Sequence, residues 1–150
     1  MRLAEADCRR HVAGARVARL ATTDHAGRPH LVPITFALTA ELAGEDSPAD
    51  LIVTAVDQKP KSTTDLARLR NIRANPAVAV LCDHYSDDWT RLWWVRADGT
   101  GAILADGNER DEALSALAAK YPQYQADPPR GPVVAITVTR WSGWSAAPPR

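Results

Sequence analysis

From about residue 16 onward the chain is cut into short apolar runs, several alternating with a period of two, separated by turn signals. Arg16-Val-Ala-Arg-Leu-Ala-Thr-Thr-Asp24 has a strand pattern, and Asp24-His-Ala-Gly27 signals a turn. Pro29 to Leu38 then alternates, with His30, Val32, Ile34, Phe36 and Leu38 on one face, so the two runs predict a β-hairpin. Leu51 to Val56 is an apolar run bounded by polar residues, the mark of a buried strand. Ala77 to Leu81 and Thr90 to Ala97 read as a fourth and a fifth strand. Thr100 to Ala105 is expected to pair back on the fifth across Asp98-Gly99, a strong hairpin dipeptide. Val133 to Thr139 is the last strand, followed by Trp141-Ser-Gly-Trp144. Six or seven strands with helices only between hairpins point to one antiparallel sheet closing on itself, not to alternating βαβ units. Such a small barrel is filled by its own side chains, so a sizeable ligand must lie outside it or between subunits.

Three helical segments flank these strands. Leu3 to Ala13 is rich in Ala, Glu and Arg and stops near Gly14. Ser62 with Asp65 makes a capping-box-like start for a helix with Leu66, Leu69 and Ile72 as its apolar stripe and Pro76 as its stop. Asn108 is expected to cap a helix with acidic residues in its first turn and Leu114, Leu117, Ala118 and Tyr121 as its buried stripe. The polar segments Glu41 to Asp50, Asp83 to Trp89 and Gln123 to Pro132 read as loops, and no repeat or linker divides residues 1–150.

Composition narrows the function. A length of 150 residues suits one domain with a core that needs no disulfide staples. The formal charge is zero, which argues against nucleic acid or an acidic membrane as a partner. There is no apolar signal core and no run long enough to cross a bilayer, so a cytoplasmic protein with Cys8 and Cys82 reduced is expected. His11, His25, His30 and His84 show no metal-ligand spacing, and no nucleophile elbow or Gly-rich nucleotide loop is present. A catalyst built from this chain would take its chemistry from a bound cofactor.

The most informative stretch is Val53 to Ser62, where a buried strand runs through Lys59-Pro60-Lys61 into a helix start. Helix-start N–H groups favour anions and two lysines strengthen that preference, so the stretch reads as a phosphate site or as a solvated charged loop. Arginine outnumbers lysine fifteen to three, which makes the lysine pair stand out. Arg68, Arg70 and Arg73 are expected on non-core faces of the next helix, as solvated surface or as a basic track for an anionic tail; Asn71 reads as an exposed residue or a ligand contact. Trp93 and Trp94 fall on opposite faces of their strand, so one must point away from the barrel. An outward Trp meets a partner chain or a flat ligand.

The ordered set of Arg16-Val-Ala-Arg-Leu-Ala-Thr, Arg28-Pro-His-Leu-Val-Pro-Ile-Thr-Phe36, Asp57-x-Lys-x-Lys61, Leu66-Ala-Arg-Leu-Arg-Asn-Ile-Arg-Ala-Asn-Pro76 and Leu-Trp-Trp-Val-Arg96 resembles the pyridoxamine 5′-phosphate oxidase-like superfamily, most closely its F420-dependent oxidoreductase branch. The resemblance spans nearly the whole chain. It implies a mostly β fold with flanking helices, the FMN-binding split β-barrel, a Greek-key-like antiparallel barrel. It also implies a homodimer with two cofactor sites across the interface. By position, Pro33, Ile34, Thr35 and Phe36 would lie by the cofactor ring and Val53, Thr54 and Ala55 beside it. Lys59 and Lys61 would hold phosphate, Arg68 and Asn71 would follow them, and Trp94 and Trp144 would come from the partner. The implied reaction is hydride transfer from reduced coenzyme F420 to a conjugated acceptor, with Thr35, Thr54 or a water as proton source. The Arg-x-Val-Leu-Leu-Lys strand that clamps flavin phosphate in true pyridoxamine phosphate oxidases is absent. That places FMN behind F420 and argues against vitamin B6 oxidation. The alternatives are an FMN enzyme, a non-enzymatic F420 or pigment carrier and, last, a haem-binding barrel.

Overall fold

A computed structural model describes residues 1–39, 49–56 and 63–148, with backbone only for 63–66. Seven strands form one antiparallel sheet: β1 Ala18–Thr23, β2 Pro29–Ile34, β3 Ala37–Thr39, β4 Leu51–Ala55, β5 Ala77–His84, β6 Trp93–Leu104 and β7 Val133–Ser145. Their order is β2-β1-β5-β6-β7-β4-β3. β2 and β3 lie at opposite edges of the sheet, yet only Thr35 and Phe36 separate them in the chain. A sheet whose two edges are joined by two residues has to curl round, and this makes the split barrel. Four helices flank it: α1 Glu5–Gly14, α2 Thr63–Ala74, α3 Asn108–Lys120 and the short α4 Gln123–Ala126.

The first hairpin forms as its turn chemistry demands. Asp24 Oδ1 accepts from the backbone N–H of Ala26 and of Arg28, and Gly27 takes φ 81°, open to glycine without strain. The run from Pro29 to Leu38 does not stay one strand; it breaks at Thr35–Phe36, where the chain crosses from one edge of the sheet to the other.

The hairpin expected at Asp98-Gly99 is not there. β6 runs straight through that dipeptide, with a shift of register between Asp98 and Gly99 against β7. Gly99 is not at positive φ, which a tight hairpin turn would need. Its role is close approach: a Cβ there would stand 2.4 Å from the Thr137 carbonyl oxygen. β7 likewise passes beyond Thr139 to Ser145, taking the Trp141–Trp144 segment into the sheet. Gly107, at φ 92°, occupies the cap position of α3, and Asn108 is its first helical residue.

Two apolar layers follow from the curl. The barrel interior holds Leu20, Phe36, Ile52, Val80, Val95, Val134 and Ile136, all essentially without exposure. Each such side chain contributes about 1.5–3 kcal/mol relative to exposure. The far face of β3, β4 and β7 carries Ala37, Val53, Ala55 and Val133, which pack under Ala113, Leu117 and Tyr121 of α3. β4 is therefore covered on both sides, which explains its unbroken apolar run. α1 seats Cys8 and Val12 in the interior core, and Gly143 lets it approach: a Cβ there would lie 2.9 Å from Cys8 Sγ. Both cysteines are buried and free.

Candidate functional site

The chain break at Thr35–Phe36 is held by side chains from three elements. Phe36 is fully buried, and its N–H donates to the Tyr121 hydroxyl at 3.1 Å; that hydroxyl donates to the Arg16 carbonyl at 2.8 Å. Burial raises the Tyr121 phenol, so it stays protonated near neutrality. The Thr35 carbonyl accepts from Thr54 Oγ1 at 2.7 Å. Thr35 Oγ1 and the Tyr124 hydroxyl share a bond of 2.7 Å. The two tyrosine rings meet edge to face, with centroids 5.7 Å apart at 74°. Of the two hydroxyls expected as proton sources, Thr54 is buried with its proton committed to a carbonyl, and Thr35 is bonded to the Tyr124 hydroxyl.

Sequence reasoning missed Lys120. Its ammonium lies 3.8 Å from the Phe36 ring centroid and 5.4 Å from that of Tyr121. Lys120 Nζ is buried and has no hydrogen-bond partner among the described residues. Burial, with the Arg16 charge adding to it, pulls this ammonium down to about 8. Arg16 itself stacks 4.8 Å from the Tyr121 centroid and donates through Nη2 to the Lys120 carbonyl at 3.0 Å. A lysine in the last turn of a helix looks like an ordinary match to the helix dipole, so its sequence position carried no signal.

The second feature is the outward face of β1, β2, β5 and β6. Leu31 is 66% exposed and Leu81 36% exposed there, and Trp144 on the neighbouring β7 is 36% exposed. Trp94 pairs across the strands with Trp144 and with Asp83, and Leu81 pairs with Arg19 and Arg96. Pro33, also exposed, sits opposite Arg19. Arg19, Ala21, Leu31, Leu81, Trp94 and Arg96 line a shallow depression of about 410 Å³ on this face. Its guanidiniums are fixed at the flanks: Arg19 Nη1 lies 2.9 Å from Asp83 Oδ1 and Arg96 Nε lies 3.0 Å from Asp98 Oδ1. Trp94 does point outward, as its strand parity required.

Other expected site residues fall elsewhere. Ile34 is part of the barrel core, and Val53 and Ala55 are sealed under α3, so these three offer a ligand backbone rather than side chain. Arg68 and Asn71, read as solvated surface or as ligand contacts, are both buried, and Asn71 Nδ2 donates to Thr22 Oγ1 at 3.1 Å. α2 lies against β1 and β6, so the face that looked polar in sequence is an inner face. Lys59 and Lys61 lie outside the described residues. Among the described residues no three His, Cys, Asp or Glu side chains group to hold a metal, and no helix is long and apolar enough to cross a membrane.

Residues 4–145 match the family model described as pyridoxamine 5′-phosphate oxidase. No curated protein matches the chain. Among solved structures the fold is similar to an FAD-binding protein from Mesorhizobium loti, with TM-score 0.68, 22% identity and 95% of each chain covered. It is similar to a conserved hypothetical protein from Mycobacterium tuberculosis, with TM-score 0.71, 20% identity, and 96% of this chain and 86% of that one covered. It is also similar to HutZ, the heme storage protein from Vibrio cholerae, with TM-score 0.64, 13% identity, and 94% and 93% covered. At these identities the likeness is one of fold.

Proposed function

We propose that this chain, which belongs to the pyridoxamine 5′-phosphate oxidase family, works as a homodimer that binds a flavin-type redox cofactor at the seam between two barrels and passes a hydride to a conjugated small-molecule acceptor. F420 is the cofactor we favour and FMN the alternative. The observation that carries the reading is the apolar strip of exposed Leu31, Leu81 and Trp144 with half-buried Trp94, beside two arginines anchored by aspartates. A lone protomer leaves that strip in water, whereas a second copy laid on it excludes water and walls a flat ligand at its margin. A stable seam of this kind covers about 800 Å² per partner, the order of a four-stranded face. The similar structure from Mesorhizobium loti is described as an FAD-binding protein, which supports a flavin-type group. The preference for F420 rests on the sequence: its ordered motifs, and the missing Arg-x-Val-Leu-Leu-Lys strand.

When bound, such a group supplies the hydride chemistry. The residues of the chain do the rest. The exposed Pro33 and half-buried Thr35 bring backbone and one hydroxyl to the end of the outer face. Thr35 Oγ1 and the Tyr124 hydroxyl share a hydrogen bond, so a proton given up at Thr35 would be replaced from Tyr124 and that of Tyr124 from water. Arg19 and Arg96 offer fixed positive charge at the flanks of the strip, and Lys59 with Lys61 offers it to a phosphate.

The test is a fluorescence titration of purified protein with F420 and FMN side by side. Saturable F420 binding that weakens at least about tenfold in Lys59→Ala/Lys61→Ala is expected; failure to bind either molecule overturns the reading. Tyr124→Phe should leave affinity intact and slow turnover. The similarity to a heme storage protein supports one second reading, a tetrapyrrole carrier without turnover. A titration with hemin separates the two: hemin binding with no binding of F420 or FMN selects the carrier.

A further inference from the structure

At the end of the barrel, behind the strand that carries the outward Trp94, lies a cleft of about 470 Å³ that the proposed function does not use. That volume is within the range of small-molecule sites. Its walls come from five separate parts of the chain, one of them the end of β7 with Ser145, Ala147 and Pro148. α1 contributes Arg10 and His11, the end of β5 contributes His84, and a 3₁₀ turn, Trp89–Arg91, contributes Thr90 and Arg91. The start of β6 provides Trp93 as the floor. His11 lies on Trp93 with ring centroids 4.4 Å apart and 35° between planes, so the base of the cleft is a tilted aromatic pair. Burial lowers the His11 imidazole, which keeps it neutral and stackable at pH 7.

Among the described residues no acidic side chain lines the cleft. The nearby carboxylates already have partners, two of them among the lining residues themselves. Asp7 Oδ1 takes Arg10 Nη1 at 2.9 Å on the helix surface, and Asp83 faces the opposite side of the sheet on Arg19. Asp88 accepts from the Thr90 N–H and hydroxyl and so fixes the turn that presents Arg91. Among the described residues Arg91 forms no ion pair. The frame is firm as well: the Met1 ammonium donates to the Ser145 carbonyl at 2.6 Å, and the Ala146 N–H donates to the Leu92 carbonyl at 2.9 Å. In the turn and the segment before it, Trp89 (76% exposed) and Tyr85 (61% exposed) stand in water beside the lining residues.

We propose that this cleft is a second ligand site, distinct from the cofactor seam, for a small planar aromatic anion, with the ring against Trp93 and His11 and the carboxylate, sulfonate or phosphate group on Arg91. Stacking chooses the ring, and guanidiniums choose a planar or tetrahedral oxyanion. Neither part alone suffices: an exposed arginine pairs weakly with a simple anion in salt, and an open aromatic floor is wet. The proposal does not depend on which cofactor fills the seam.

Isothermal titration at low salt with 1-naphthoate tests it, against neutral 1-naphthalenemethanol and inorganic phosphate. One naphthoate per chain is expected, with both comparators at least about tenfold weaker. Arg91→Ala and His11→Leu should each weaken naphthoate about tenfold, and a nitrogen-labelled His11 ring should shift on titration in the NMR spectrum. Arg96→Ala, on the opposite face, should leave the isotherm unchanged. Equal binding of phosphate or of the neutral alcohol overturns the proposal. So does an unchanged isotherm in Arg91→Ala, or a loss in Arg96→Ala, which would put the ligand in the seam.

Discussion

Replacing Lys120 with Met should stabilise the protein at neutral pH. Its ammonium is depressed from 10.5 to about 8, chiefly by burial. At about 1.4 kcal/mol per unit, that difference amounts to about 3 kcal/mol against the charged form. Part of the side chain is in water, and screening reduces this to about 1–2 kcal/mol. The Phe36 and Tyr121 rings return about 0.5–1 kcal/mol through cation–π attraction. Burial therefore wins, and Lys120→Met, which keeps the stem's packing, should gain about 1 kcal/mol at pH 7. For a chain of this size that is about 2–4 °C in Tm. The pH dependence has a definite sign. Between about 8 and 10.5 the unfolded chain still holds the Lys120 proton that the folded chain has lost, so this residue makes stability rise with pH there. Cys8, Cys82 and Tyr121, all raised by burial, act oppositely once pH passes about 9, because the unfolded chain ionises first. The clean observable is the difference between wild type and variant in urea melts from pH 7 to 10. The variant's advantage should be full at pH 7 and shrink as pH rises towards 10. A variant less stable than wild type at pH 7, or an advantage that does not change with pH, would refute the reasoning.

Three further outcomes are expected. Gly99→Ala should lower stability by about 2–3 kcal/mol in urea melts, because its Cβ would meet the Thr137 carbonyl at 2.4 Å and backbone must move. Thr54→Val should lose about 1 kcal/mol, since it leaves the Thr35 carbonyl without its donor at nearly constant shape. Leu81→Glu should shift the protein from dimer to monomer in light scattering while circular dichroism stays native, because it puts charge in the middle of the outer strip.

How legible the chain was depended on whether the deciding interaction was local. The Asp24–Gly27 turn and the opposed faces of Trp93 and Trp94 were readable because an Asx-type turn and strand parity are set within a few residues. Asp98-Gly99 misled because its turn preference is local, while the contact that uses the missing Cβ comes from Thr137 on another strand. Arg68 and Asn71 looked solvated because nothing in α2 announces Thr22, 49 residues from Asn71, as a partner. The buried position of Tyr121 was visible in the helical stripe. Its bonds to Phe36 and Arg16, the pairing of Tyr124 with Thr35, and the stacking of Lys120 on Phe36 join residues far apart in the chain and left no periodic trace. The family resemblance reached further than the residue patterns alone, since the ordered motifs pointed to the split barrel that the sheet order displays.

Sedimentation of the protein with F420, followed in the cofactor's own absorption band, puts the central claim to the most direct trial. A boundary at the mass of two chains that carries one cofactor per chain, and that disperses into monomer and free cofactor for Leu81→Glu, is the predicted result. Cofactor sedimenting with a single chain, or left behind by a protein that dimerises without it at any concentration, contradicts the account.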